Sequence, residues 1–302
     1  MDNLSIKIPL RISLAGGGLD LPEYYLIHGA RLLSVAIDMY IHVNVGKNII
    51  HQSSPLTDLF KSFHPDLNVS INSKVSPGAG LGGSGAVAAG LALADNFITN
   101  SPTSPINIGI KAFEWERNIL KMPVGFQDMM VCSFGGCVEM IANNKNEITA
   151  HERPDLIEGL SSFFDLNFIL VESGLRRKAS SLLDDLAKSY EKDNKNTLPA
   201  TVENIEKAIT GKDIEMFGKI IKDHWNAKCK RLPEATNENI NSIIGTALAL
   251  GAFGAKNIGA GGGGFILICC AKENRETICN TLSSLGYGVL KPSISFGGAN
   301  II

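Results

Sequence analysis

Between residues 4 and 14 apolar and polar side chains alternate, the period-2 pattern of a strand with one face in a core. Segments 31–37 and 39–45 repeat the pattern, and Asp38 between them reads as a turn. Residues 49–66 carry Ser, Pro and Asp and read as loop; 68–75 read as a further strand. That strand runs into Ser-Pro-Gly-Ala-Gly-Leu-Gly-Gly-Ser-Gly-Ala at 76–86, followed by an Ala/Leu-rich helix from Ser84 to about 97. Ser104 and Pro105 supply an N-cap and an N1 proline for a helix to about 120, and two short strands are expected near 130–141. Beyond about 155 the pattern changes. A strand at 167–171 precedes helices near 178–191, 199–209, 213–230 and 237–250. A run of glycines at 259–264, a strand at 265–270, a helix at 274–285 and a strand at 287–294 close the chain. A strand-rich half followed by a helix-rich half predicts an α+β protein of two lobes, divided as 1–158 and 159–302.

Composition narrows the class. The 302 residues are 44% apolar and 19% charged, enough to bury a core in one large or two ordinary domains. A formal charge of −2 argues against a broad nucleic-acid surface. Met1, Asp2 and Asn3 do not open a basic segment followed by an apolar run, and no apolar stretch is long enough to span a bilayer. The expectation is a cytoplasmic protein with no membrane and no nucleic-acid partner. The six cysteines form no C-x-x-C pair and read as small core residues; the six histidines show no metal-ligand spacing.

The glycine loop carries the chemistry. Glycines let backbone amides approach a ligand without Cβ interference, and the helix start adds unpaired N–H groups and a positive dipole end. That combination is a phosphate cradle. Ser84 stands where a Walker A loop needs lysine, which rejects that class. Gly78, Gly80 and Gly83 satisfy G-x-G-x-x-G, but no second strand ending in an acidic residue follows, as a dinucleotide fold would require.

Pro77, Gly78, Ala79, Gly80, Leu81, Gly82, Gly83 and Ser84 resemble instead the P-x-G-x-G-L-G-[SG]-S loop of the GHMP kinases. Three further segments follow that family's order. Arg11 to Asp20, with Ala15-Gly16-Gly17-Gly18-Leu19-Asp20, resembles the sugar-side motif, closest to the A-G-G-G-T-D version of heptose phosphate kinases and related fucose kinases. Leu19 replaces the usual threonine. Glu116-Arg117, then Gly125-Phe126-Gln127-Asp128 and Phe134-Gly135-Gly136, resemble the segment with the metal-binding Glu and catalytic Asp. Gly259-Ala260-Gly261-Gly262-Gly263-Gly264 resembles the family's late glycine signature.

The resemblance implies a ribosomal-S5-like N-terminal lobe and a ferredoxin-like C-terminal lobe, with ATP and sugar between them. It implies ATP phosphates on residues 77–84, Mg²⁺ on Ser84 and Glu116, and Asp128 as the acceptor of the sugar hydroxyl's proton. Arg11 would polarise the nucleophile or neutralise the transferring group. Gly16, Gly17, Gly18, Asp20, Arg176, Gly261 and Gly262 would bind substrate. The implied reaction phosphorylates the anomeric hydroxyl of a small-molecule sugar phosphate, with heptose 7-phosphate first. Another kinase of the family acting on fucose-type sugars or mevalonate-type alcohols, or a non-catalytic ligand-binding descendant, is the alternative. A homodimer is compatible with the pattern. The basic runs Arg176-Arg177-Lys178 and Lys228 with Lys230 and Arg231 hint at an anionic ligand.

Overall fold

The computed structural model describes residues 3–175, 179–192 and 200–302. Arg176, expected to bind substrate, and its neighbours Arg177 and Lys178 lie outside the described residues.

Strand β1 (Leu4–Ala15) ends in a glycine turn and the short helix α1 (Pro22–His28), opened by Pro22 at its first position. β2 (Ala30–Gly46) returns antiparallel to β1 as one continuous strand, not two. Pairing steps from Pro9 with Tyr40 to Leu10 with Ile37, so Asp38 and Met39 form a bulge rather than the expected turn. The Asp38 N–H donates to the Ser293 carbonyl (3.0 Å), and its carboxylate accepts from the Ser293 N–H (2.9 Å). Helix α2 (Pro55–Phe63) lies where a loop was expected. Ser54 and Thr57 cap it reciprocally, and Leu56, Thr57 and Phe60 are buried; the capping signal outweighed the Ser/Pro/Asp composition.

β3 (Asn68–Ser73) pairs with β2 and leads through the glycine loop to α3 (Gly83–Ile98), a helix buried on nearly every side. Its Ala and Gly positions allow that packing: a Cβ on Gly90 would lie 2.7 Å from the Ile8 side chain. α4 (Pro105–Glu114) does not continue to 120 as an α-helix, because residues Trp115–Ile119 form a π-turn. Of the two short strands expected near 130–141, one is present as β4 (Cys137–Ala142), the other is replaced by α5 (Gln127–Phe134), and β5 (Ile148–Glu152) follows. Left-handed Gly135 and Gly136 end α5 and turn the chain into β4.

The second half contains α6 (Ile157–Leu166), β6 (Phe168–Glu172), α7 (Ala179–Lys192), α8 (Ala200–Thr210), α9 (Ile214–Arg231) and α10 (Glu238–Ala249). β7 (Ala252–Asn257), β8 (Phe265–Cys270), α11 (Lys272–Ser284) and β9 (Gly288–Leu290) follow. Strands β7-β8-β6-β9 make an antiparallel sheet. The expected strand 287–294 is only three residues long. The chain then rejoins the first sheet: Ile294 bridges to Ile37, and β10 (Asn300–Ile301) pairs with β1. The first sheet is therefore β10-β1-β2-β4-β5, with β3 also on β2.

An ionic network ties α8 to the first sheet. Arg31 of β2 donates to Glu139 (2.5 Å) and Glu206 (3.0 Å), and Arg153 reaches the same two carboxylates. All six cysteines are unpaired, and five are buried in the cores. No described helix is long and apolar enough to cross a membrane.

Candidate active site

The glycine loop is built by alternation. Gly78, Gly80 and Gly82 take left-handed backbone angles (φ 81°, 81° and 78°), while Ala79 and Leu81 between them are buried. A Cβ on Gly80 would sit 2.4 Å from the Ile258 carbonyl oxygen, and one on Gly264 would sit 2.3 Å from that of Ala79. Phe265 donates its N–H to the Ala79 carbonyl (2.9 Å). The two glycine runs, far apart in sequence, thus lie backbone against backbone. Asn257, buried, donates to the Gly263 and Phe265 carbonyls (2.9 Å each) and fixes the second run. The Gly262 N–H donates to Ala235 (2.6 Å), and a Cβ on Gly261 would strike Ala235 at 2.8 Å. These two expected substrate contacts are placed against a turn of the second lobe.

Helix α3 starts at Gly83, with Gly82 at the N-cap position, so Ser84 is not the cap. The first-turn N–H groups have no side-chain cap and no intrahelical acceptor, which suits a phosphate. Ser84 donates its hydroxyl to Glu116 Oε1. The π-turn places Glu116 inside the protein, fully buried, and its second oxygen, Oε2, has no hydrogen-bond partner. Burial raises the Glu116 pKa to about 7; the Ser84 bond opposes this and the Asp128 charge adds to it. An orphaned, buried carboxylate oxygen beside a hydroxyl is a donor pair suited to a hard cation. Among the described residues no group of three or more His, Cys, Asp or Glu could hold a metal. A cation here would complete its shell with phosphate oxygens and water, as Mg²⁺ does. Glu116→Gln should therefore raise the Mg²⁺ concentration for half-maximal activity by about tenfold or more. The metal-free melting temperature should not fall, because the change removes a buried charge.

Asp128, second residue of α5, stands at the same place with its side chain 30% exposed. Arg11 Nε donates to its Oδ1 (2.7 Å), and Arg11 Nη1 donates to the Gly80 carbonyl (2.6 Å). One buried guanidinium therefore joins the carboxylate to the glycine loop. Burial works against that positive charge, but Asp128 outweighs it and holds the Arg11 pKa above its ordinary value. The start of α5 is fixed by Gln127, which sequence reasoning gave no role. Its buried amide donates to Ser13 (3.0 Å) and Ser34 (2.7 Å), and its N–H donates to Asp20 Oδ2 (3.1 Å). Only long-range contacts reveal it. Gly85 has no room for a side chain, because a Cβ there would lie 2.5 Å from the Asp128 Cβ.

Gly16, Gly17 and Gly18 form the turn after β1; Gly16 and Gly18 are left-handed, and a Cβ on Gly16 would meet the Arg31 carbonyl at 2.4 Å. Leu19 is buried in the core. Asp20 is 8% exposed, with its carboxylate on the Gln127 N–H, so it caps α5 from the glycine turn after β1. Burial, then Asp128, push its pKa from 3.8 up to about 6. A carboxyl that holds its proton more tightly when folded stabilises the fold at low pH. That contribution is lost as pH rises from about 4 through about 6. Asp20→Asn should flatten this part of the melting-temperature curve between pH 4 and 7.

The chain was compared with known proteins. Residues 48–136 match "GHMP kinases N terminal domain" and residues 201–288 match "GHMP kinases C terminal", together more than half of the chain. It is 26% identical to D-glycero-alpha-D-manno-heptose 7-phosphate kinase of Campylobacter jejuni, over 88% of this chain and 89% of that protein. Its fold is similar to the crystal structure of a D-glycero-D-manno-heptose 1-phosphate kinase from Bacteroides thetaiotaomicron (TM-score 0.72, 19% identity, 99% and 98% of the two chains). It is also similar to mevalonate kinase of Methanococcus jannaschii (TM-score 0.68, 19% identity, 96% and 98%). With both halves of the family present in order, and with their motif residues meeting around one glycine loop, the chain belongs to the GHMP kinases and is a phosphotransferase with a hydroxyl acceptor.

Proposed function

We propose that the protein transfers the terminal phosphoryl group of ATP to the anomeric hydroxyl of D-glycero-D-manno-heptose 7-phosphate, giving the 1,7-bisphosphate, in the cytoplasm. The observation that carries the reading is the Arg11 bridge, which joins Asp128 to the Gly80 carbonyl of the phosphate loop. It sets a proton acceptor beside the place where loop amides and the α3 start would hold phosphates. The similarity to heptose 7-phosphate kinase over most of both chains supports the substrate.

Phosphoryl transfer depends mostly on positioning and charge stabilisation. The backbone amides of residues 78–84 bind the phosphates. Ser84 and Glu116 hold Mg²⁺, which neutralises phosphate charge when bound. Asp128 orients the attacking hydroxyl and takes its proton as the new P–O bond forms, while Arg11 faces the developing charge. The glycine turn 16–18 approaches the sugar, and Asp20 positions α5. The test is ADP release with heptose 7-phosphate, the free heptose, fucose and mevalonate offered in turn, with phosphorus NMR of the product. Release driven by heptose 7-phosphate, with a new anomeric phosphate, is the expected result. Silence with that sugar would discard the substrate and leave the kinase class intact.

A further inference from the structure

Among the described residues, two lysines near the reaction centre have no counter-ion. Lys256 of β7 is 4% exposed and donates to the Leu14 carbonyl (3.0 Å), at the end of β1 just before the glycine turn. Lys228 of α9 is half-buried and donates to the Gly259 carbonyl (2.7 Å). Gly259 lies against Gly80, the residue whose carbonyl accepts from Arg11. Among the described residues, neither lysine has a carboxylate partner; each ammonium has only a carbonyl. Arg11, by contrast, is balanced by Asp128.

Keeping one ammonium group buried and a second half-buried beside it without an anion is costly. The surrounding positive charges act in the same direction. Burial, with repulsion from Arg11, brings Lys228 to about 8, against opposing pulls from Cys229 and Asp20. Burial, with repulsion from Lys228 and Arg11, brings Lys256 to about 7, against Cys269. His224, one turn before Lys228, is held neutral by burial and by Lys256, Lys228 and Arg231. A fold tolerates such a cluster where a ligand supplies the missing negative charge.

The cluster also has a direction. Lys228 and Arg231 are i and i+3 on α9, so they are neighbours on one helix face, about 4.5 Å apart along its axis. Lys228 stands by the phosphate loop, whereas the Arg231 charge acts on Tyr24 of α1, directly after the acceptor-side turn. Lys256 binds the end of β1 that leads into that turn. The nucleotide phosphates already have the loop amides, the α3 start and the Ser84–Glu116 pair. Lys230, in the same basic run, is exposed and makes none of these contacts.

We propose that Lys228, Lys256 and Arg231 form an anion-binding wall that holds a phosphate already carried by the acceptor, so that the enzyme selects phosphorylated over neutral sugars. The proposal rests on the kinase reading above and names the group that sets its specificity. The test uses Lys228→Met, Lys256→Met and the double variant, each retaining an apolar stem, with thermal melts to confirm folding. The KM for heptose 7-phosphate should rise about tenfold or more for each, the effect of losing one charged hydrogen bond. The KM for ATP should change by less than about twofold on the same scale. Calorimetry with mannose 6-phosphate and mannose tests binding without turnover. The wild type should prefer the phosphorylated sugar, and the double variant should lose that preference. A preference that survives in the double variant, equal binding of the two sugars by the wild type, or a rise confined to the KM for ATP would overturn the proposal. None of these results would touch the kinase reading, which fails only if no hydroxyl acceptor drives ADP release.

Discussion

Asp128→Asn should lower kcat by about 10²- to 10⁴-fold, the usual contribution of a positioned proton acceptor. The KM for ATP should stay near the wild-type value. The substitution keeps the shape of the side chain, and Arg11 Nε can still donate to the amide oxygen at position 128. Arg11 Nη1 keeps its bond to Gly80, so the loop stays in place. What is lost is the ability to take the hydroxyl proton during P–O bond formation. Steady-state kinetics, with nucleotide binding measured separately, would check this. Unchanged turnover would remove Asp128 from the chemistry.

Gly80→Ala should damage the nucleotide site more than any other single methyl addition in the loop. The backbone there is left-handed (φ 81°), which costs a residue with a Cβ about 1–2 kcal/mol. The methyl would also meet the Ile258 carbonyl oxygen at 2.4 Å and force the two glycine runs apart. That carbonyl is backbone, so it cannot swing aside as a flexible side chain could. Because small misplacements at a reaction centre reach about 10²-fold in rate, a loss of that order in kcat/KM for ATP is expected, with a lower melting temperature. Gly245→Ala is the contrast. Gly245 lies in α10, and a Cβ there meets nothing within 4 Å, so the change should be neutral or stabilising by up to about 1 kcal/mol.

The parts of the fold that were legible in the sequence are those governed by local rules. The strand, glycine loop and Ala/Leu helix around residues 68–98 were readable because glycine spacing and side-chain size act within a few residues. The site motifs were readable for the same reason: Ser84, Glu116, Asp128 and Arg11 each sit in a short pattern, and the fold brings them together. Where a distant partner decided the conformation, local reading failed. Asp38 has the chemistry of a turn, yet it is a bulge because Ser293 binds it from across the chain. Residues 130–134 are apolar enough for a strand but are helical, anchored where Gln127 reaches Ser13, Ser34 and Asp20. The π-turn that buries Glu116 leaves no mark in residue spacing. Lys256, three residues before the second glycine run, carries no mark in the local sequence; only its burial shows that it is not an ordinary surface lysine.

The return of residues 293–302 to the first sheet bears on how the protein is made. Ile6 leaves the ribosome well before Ile301, its partner on β10, and waits for it to arrive. Until then one edge of β1 is open for pairing with another chain, and the Asp38 bulge lacks its partner. A polypeptide shortened before residue 293 should therefore aggregate during expression even with every residue of the glycine loop intact.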